Sequence, residues 1–223
     1  MPRGFPGRSA RMDLPEDVCH HTSMAAPSSP ALVIVDVQHD FCPGGALPVR
    51  EGDQVVPVLR RAAQRFAAFG WPVYASRDWH PADSTHFAGQ GGTWPVHCVQ
   101  GTEGARLRED LELPTSAMIV TKGRTRHDDG YSGIVGEVSG RGSLLEDLQA
   151  RHVTHLYVGG LATDYCVKYT VLDALAQGFG VTLLTDAIRA VDVEPGDGDR
   201  ALHEMVAAGA VAGTSADLPG FPS

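Results

Sequence analysis

Leu156-Tyr157-Val158-Gly159-Gly160-Leu161-Ala162-Thr163-Asp164-Tyr165-Cys166 is an apolar run broken by two glycines and followed by residues in helical periodicity. It reads as a buried strand that delivers the chain to the start of a helix, the repeating step of a parallel α/β fold. The thiol of Cys166 then falls in the first helical turn, where free backbone N–H groups and the helix dipole favour thiolate over thiol. Taken alone, the same cysteine also reads as a small apolar residue packing the turn.

The pattern continues on both sides of this stretch. Downstream, Thr163 is expected to cap a helix carrying Val167, Thr170, Val171, Ala174 and Leu175 as far as Gly178. Val181 to Thr185 then reads as a strand, and Asp197 or Asp199 starts a helix through Leu202, Met205, Val206 and Ala207. Ala210 to Ala212 follows Gly209 as a short last strand.

Upstream, Ala31 to Val35 is a β-branched apolar run ending in Asp36, as expected of a strand buried on both faces. Asp53 can cap a helix that places Val55, Val56, Leu59, Ala62, Ala63 and Phe66 on one side, with Pro57 in its first turn and Gly70 as its stop. Pro72 to Ser76 and Ala117 to Thr121 read as strands, the latter ending at Lys122. Ser143 with Glu146 forms a capping box for a helix through Leu144, Leu145 and Leu148, and His155 to Val158 is the strand of the opening stretch. The alternation predicts an α/β three-layer sandwich, with a central, mostly parallel sheet of about six strands and helices on both faces.

The 223 residues suffice for one such domain, expected over 30–223. Residues 1–29, rich in Pro, Arg and Ser and without periodicity, are expected to be a disordered tail. Within it, Met24 offers a shorter start, and Cys19-His20-His21 reads as tail rather than as ligands. The net charge of −9, from 27 acidic and 18 basic residues without a long basic run, argues against nucleic-acid and anionic-membrane partners. Four cysteines without a secretory hydrophobic segment point to reduced thiols and a cytoplasmic protein, and no apolar run approaches membrane-spanning length.

Polar residues of chemical value stand at the ends of four strands: Asp36, then Asp78 and His80, then Lys122, then Cys166. In open α/β sheets that edge is the ligand crevice. Each has a plain structural alternative, Asp36 as a loop cap and Lys122 as a solvated strand end. Together they supply what a nucleophilic thiol needs: a proton partner, a cation and, from the backbone N–H groups of Ala162 and Cys166, oxyanion donors. Between Arg77 and Gly104 a loop without periodicity holds Asp78, His80, His86 and His97, a donor set suited to one Zn, Fe or Mn ion. Phe41, Trp94 and Tyr131 fall in loops at the same edge and can serve either as core or as walls for a flat substrate.

With these residues assembled, the chain resembles the nicotinamidase branch of the isochorismatase-like cysteine hydrolase family from Ala31 to about Val211. The resemblance is carried by Val35-Asp36-Val37-Gln38-His39-Asp40-Phe41-Cys42-Pro43-Gly44-Gly45-Ala46-Leu47, Arg77-Asp78-Trp79-His80-Pro81, Thr93-Trp94-Pro95-Val96-His97-Cys98-Val99, Lys122-Gly123, Tyr131-Ser132-Gly133 and Gly159 to Cys166. It implies hydrolysis of nicotinamide, and of pyrazinamide as a further substrate, in NAD salvage. Asp36, Lys122 and Cys166 would be catalytic, and Phe41, Trp94, Tyr131, Leu161 and Tyr165 would meet the substrate. Asp78, His80 and His97, with His86 as an additional ligand, would hold the metal, and the Leu161–Ala162 bond would be cis and help build the oxyanion hole.

The chain departs from the family pattern at His39, Ile134 and Tyr165, which bear on pocket shape. Two rivals stand beside this reading: a family amidase for carbamoyl or ureido substrates, which would lack the metal set, and a non-catalytic metal-holding nicotinamide sensor. A vinyl-ether hydrolase has no need of the thiol. The state of assembly, including a homo-oligomer, is left open.

Overall fold

A computed structural model describes residues 29–219. The expected N-terminal tail, with Met24 and the Cys19-His20-His21 run, lies outside the described residues apart from Ser29. One sheet organises the rest. Its strands are β1 (Pro30–Val35), β2 (Val73–Asp78), β3 (Met118–Lys122), β4 (Glu137–Val138), β5 (Gly142–Ser143), β6 (His155–Leu161), β7 (Gly180–Arg189) and β8 (Val211–Gly213). Their spatial order is β5-β4-β3-β2-β1-β6-β7-β8, parallel except for the two short antiparallel pairings of β4.

The sheet therefore has eight strands where periodicity indicates six. The additional two are two-residue pieces at one edge, too short to carry an alternation of their own. The long strands also run further than their apolar cores suggest, with β2 reaching Asp78 and β7 reaching Arg189. Ladder hydrogen bonds propagate past the last apolar residue and carry polar side chains to the sheet edge.

Helix α1 (Val55–Ala68) covers one face, and α2 (Leu144–Ala150), α3 (Lys168–Ala176) and α4 (Asp197–Ala207) cover the other. The apolar residues of α1 recur at helical spacing and are buried against Leu32, Ile34, Val73 and Ala75 of β1 and β2. Val33 and Val35, pointing the opposite way, join Val167, Val171 and Met205 on the other face. The capping box of α2 is present: Ser143 Oγ accepts from Glu146 N–H at 3.2 Å and Glu146 Oε2 accepts from Ser143 N–H at 2.7 Å. No helix of the described residues is long and apolar enough to cross a membrane.

The start of α3 differs from expectation. Residues Thr163–Val167 form a π-helical turn, in which Val167 N–H reaches back to the Ala162 carbonyl at 3.1 Å, and α3 proper begins at Lys168. Ala162 rather than Thr163 occupies the cap position, and Thr163 makes no capping bond. Cys166 thus sits in this wide turn.

Gly160 explains how the turn meets β1. Its φ is +131°, and a Cβ there would lie 2.0 Å from the Val35 carbonyl oxygen, so only glycine lets β6 press against the residue preceding Asp36. We expect Gly160→Ala to destabilise the fold by roughly 2–5 kcal/mol, from backbone strain plus overpacking, read as a lower denaturant midpoint. An unchanged midpoint would show that β1 and β6 can separate here at no cost.

Candidate active site

Four neighbouring strands, β3, β2, β1 and β6, end side by side and deliver Lys122, Asp78, Asp36 and the Cys166 turn to one point. The Lys122 ammonium is the centre. Its Nζ lies 2.6 Å from Asp36 Oδ2, 2.5 Å from Asp78 Oδ1, 2.5 Å from the Gly130 carbonyl and 3.4 Å from Cys166 Sγ. Asp36 and Lys122 are 0 and 2% exposed, so these charges interact with little solvent screening.

Burial raises Asp36 to about 6, with Lys122 pulling down and Asp78 pushing up. Asp78 is raised by burial as well, but Lys122 and the adjacent His80 outweigh this and hold it below the usual carboxylate range. For Lys122 burial favours the neutral amine, and the two carboxylates reverse it, keeping the ammonium charged. Burial also pushes the Cys166 thiol well above its ordinary value, and Lys122 offsets this against the two carboxylates only in part. Burial and the two carboxylates thus act against the thiolate that a helix start favours, and Asp36 stands ready as the proton partner of the sulfur.

Beside this group, ring nitrogens of His80, His86 and His97 all lie within 4.8 Å of one another. His80 Nε2 is also 3.8 Å from Asp78 Oδ2. His97 Nδ1 donates to the Pro95 carbonyl at 2.7 Å, which leaves Nε2 as its free electron pair. Burial lowers His97 to about 4 and lowers His86 too, which favours the neutral imidazole that a metal ligand requires. Both ring nitrogens of His80 are buried without a hydrogen-bond partner. Such orphaned atoms are costly, and a bound cation resolves the cost for the one that faces it. Gly123, at φ +66°, makes the room: a Cβ there would lie 2.6 Å from His80 Cε1. The residues present fit one divalent metal held by Asp78, His80, His86 and His97.

A narrow cleft of about 340 Å³, its mouth included, opens over the thiol and the imidazoles. Phe41, Trp94, Tyr131 and Tyr165 line it as expected, together with Ala162 and Cys166. Trp94 Nε1 donates to the Tyr131 hydroxyl at 3.0 Å and the Trp94 ring meets Tyr165 edge-on, 4.8 Å between centroids. Leu161 is not part of the lining. Its side chain is fully buried in the α1 core against Gly52, because alternation along β6 turns it to the opposite side. The Leu161–Ala162 peptide is cis, as the resemblance implies.

Sequence reasoning missed Leu47 and Val191, which also line the cleft. It missed Ser76, whose Oγ donates to Asp36 Oδ1 at 2.7 Å. Gln38 was missed as well: its amide brackets Asp78, accepting from the Asp78 N–H at 2.8 Å and donating to the Asp78 carbonyl at 2.9 Å. A neutral polar residue two positions beyond Asp36 was the available signal.

The isochorismatase domain family matches residues 30–217. The chain belongs to the isochorismatase family. Among family relatives it is 43% identical over 203 residues to the nicotinamidase of Escherichia coli, covering 84% of this chain and 95% of that one. The zinc complex of Pyrococcus horikoshii pyrazinamidase superposes with a TM-score of 0.76 at 41% identity, over 83% of this chain and 99% of the other. PnC1 from L. infantum, solved with nicotinate, gives 0.73 at 34% identity, over 84 and 93%. The isochorismatase fold accordingly extends over nearly all the described residues.

Proposed function

We propose that this chain is a metal-assisted cysteine amidohydrolase that converts nicotinamide to nicotinate and ammonia. The observation that carries the reading is the buried contact of Lys122 with Asp36, Asp78 and Cys166 on the floor of an aromatic cleft, against three convergent imidazoles. The similarity to nicotinamidases supports the amide as substrate.

Asp36 accepts the Cys166 proton, and the sulfur attacks the carboxamide carbon to form a C–S bond. The backbone N–H groups of Ala162 and Cys166 hold the resulting oxyanion. Collapse breaks the C–N bond, and Asp36 returns the proton to the departing ammonia. Asp36 then takes a proton from water, which cleaves the thioester to nicotinate and regenerates the thiol. Lys122 keeps Asp36 and Asp78 in place and balances their charge. Phe41, Trp94, Tyr131 and Tyr165 confine the flat ring.

Asp78, His80, His97 and His86 would hold a Zn, Fe or Mn ion, which when bound offers a Lewis-acidic anchor for a pyridine nitrogen or an ordered water. The cytoplasm is the proposed location, supported by Cys42, Cys98 and Cys166 being free thiols. The proposed domain is 30–223.

The test is ammonia release from a panel of pyridine and pyrazine carboxamides and from carbamoyl and ureido compounds, before and after chelation and metal replacement. Nicotinamide should be turned over, activity should fall on chelation, and a divalent metal should restore it. Turnover of the ureido compounds alone would transfer the site to the rival amidase class. Full nicotinamidase activity after verified metal removal would remove the metal from the reading and leave the cysteine chemistry standing.

A further inference from the structure

The reaction leaves one buried carboxylate of the nucleophile turn unused. Asp164 stands two residues before Cys166 and is only 6% exposed. Its Oδ1 accepts the Val191 N–H at 3.0 Å and its Oδ2 accepts the Asp192 N–H at 2.9 Å. Both oxygens thus bind successive amides of the segment that leaves β7 toward α4. Hydrogen bonds to a charged acceptor are stronger than neutral ones, and two of them fix orientation as well as distance.

The segment so held is irregular. Asp192 has a left-handed φ of +53°, and its Oδ1 accepts from Gly198 N–H at 2.8 Å in the first turn of α4. At its near end Val191 lines the cleft together with Ala162, Tyr165 and Cys166 of the nucleophile turn. Val191 therefore keeps its place over the substrate space through a hydrogen-bonded link to the same turn that carries the sulfur.

We propose that Asp164 is a positioning residue whose carboxylate straps the loop after β7 to the nucleophile turn, fixing Val191 as the wall that selects an unsubstituted ring. The width of the cleft between Val191 and the sulfur is then set by Asp164, independently of the Asp36, Lys122 and histidine cluster. This rests on the amidohydrolase reading for its substrate, while the strap itself is a property of the fold.

The experiment compares wild type, Asp164→Asn and Val191→Ala by kcat and KM for nicotinamide and a ring-methylated nicotinamide, with amide hydrogen exchange at Val191 and Asp192. Asn keeps the shape but turns one acceptor into a donor facing an N–H. We expect each variant to raise KM for nicotinamide roughly tenfold with kcat within about threefold, and to narrow the preference over the methylated ring. Asp164→Asn should also lose protection at Val191 or Asp192. Unchanged protection, or a fall in kcat at constant KM, overturns the proposal. If Asp164→Asn does not fold, Val191→Ala decides: unchanged KM and ring preference overturn the wall. Absence of wild-type turnover would instead refute the amidohydrolase reading, and the exchange measurement would still decide the strap.

Discussion

Replacing Cys166 with alanine is expected to lower nicotinate release by at least about 10⁴-fold, because loss of a nucleophile leaves only positioning and oxyanion contacts. The change removes one sulfur from a site where Lys122 retains Asp36, Asp78 and the Gly130 carbonyl. Metal content and thermal stability should therefore remain close to wild type. Steady-state ammonia release, metal analysis and a melting curve suffice as measurements. Near wild-type turnover in the alanine variant would exclude a thioester and leave direct attack by water as the remaining route.

The second large effect concerns Asp36. Asp36→Asn preserves the shape and the neighbourhood of the Ser76 hydroxyl, but the side chain can no longer take a proton, and kcat/KM should fall roughly 10³-fold. The wild-type pH profile carries the same information. Burial, only partly countered by Lys122, raises Asp36 to about 6. The charged form is the one that accepts the thiol proton, so activity is present above that value and lost as pH falls through it. An acid limb near pH 6, falling about tenfold per pH unit below it, is the expected profile. A limb near the ordinary carboxylate value would assign the proton transfer to a less buried group.

Asp36, Asp78, Lys122 and Cys166 were legible in the sequence for a physical reason. Each follows an apolar run of strand length, and the ends of parallel strands share one edge. The imidazole cluster was legible because Asp78, His80, His86 and His97 crowd one aperiodic loop. Val191 and Leu47 were not, since an apolar residue in a loop is indistinguishable from ordinary packing until its neighbours are known. The environment of the Cys166 thiol was equally hidden, because the carboxylates that oppose its ionisation, Asp36 just after β1 and Asp78 at the end of β2, lie far away along the chain. The π-turn was missed because a helix cap and a wide turn draw on the same small polar residues, Thr163 among them. Leu161 shows the reverse error: its place in a motif suggested substrate contact, whereas β6 runs on past Val158 to Leu161 and seats its side chain in the core.

The strand order has a consequence for how the molecule opens. Strand β6 pairs with β1 on one side and β7 on the other, although β1 precedes it by more than a hundred residues. The catalytic cluster exists only while β3, β2, β1 and β6 are all seated, so no fraying at the outer strands can release one member and keep the rest. A ligand held by the cluster should protect amides throughout the central sheet to the same degree, making occupancy a gauge of global rather than local unfolding.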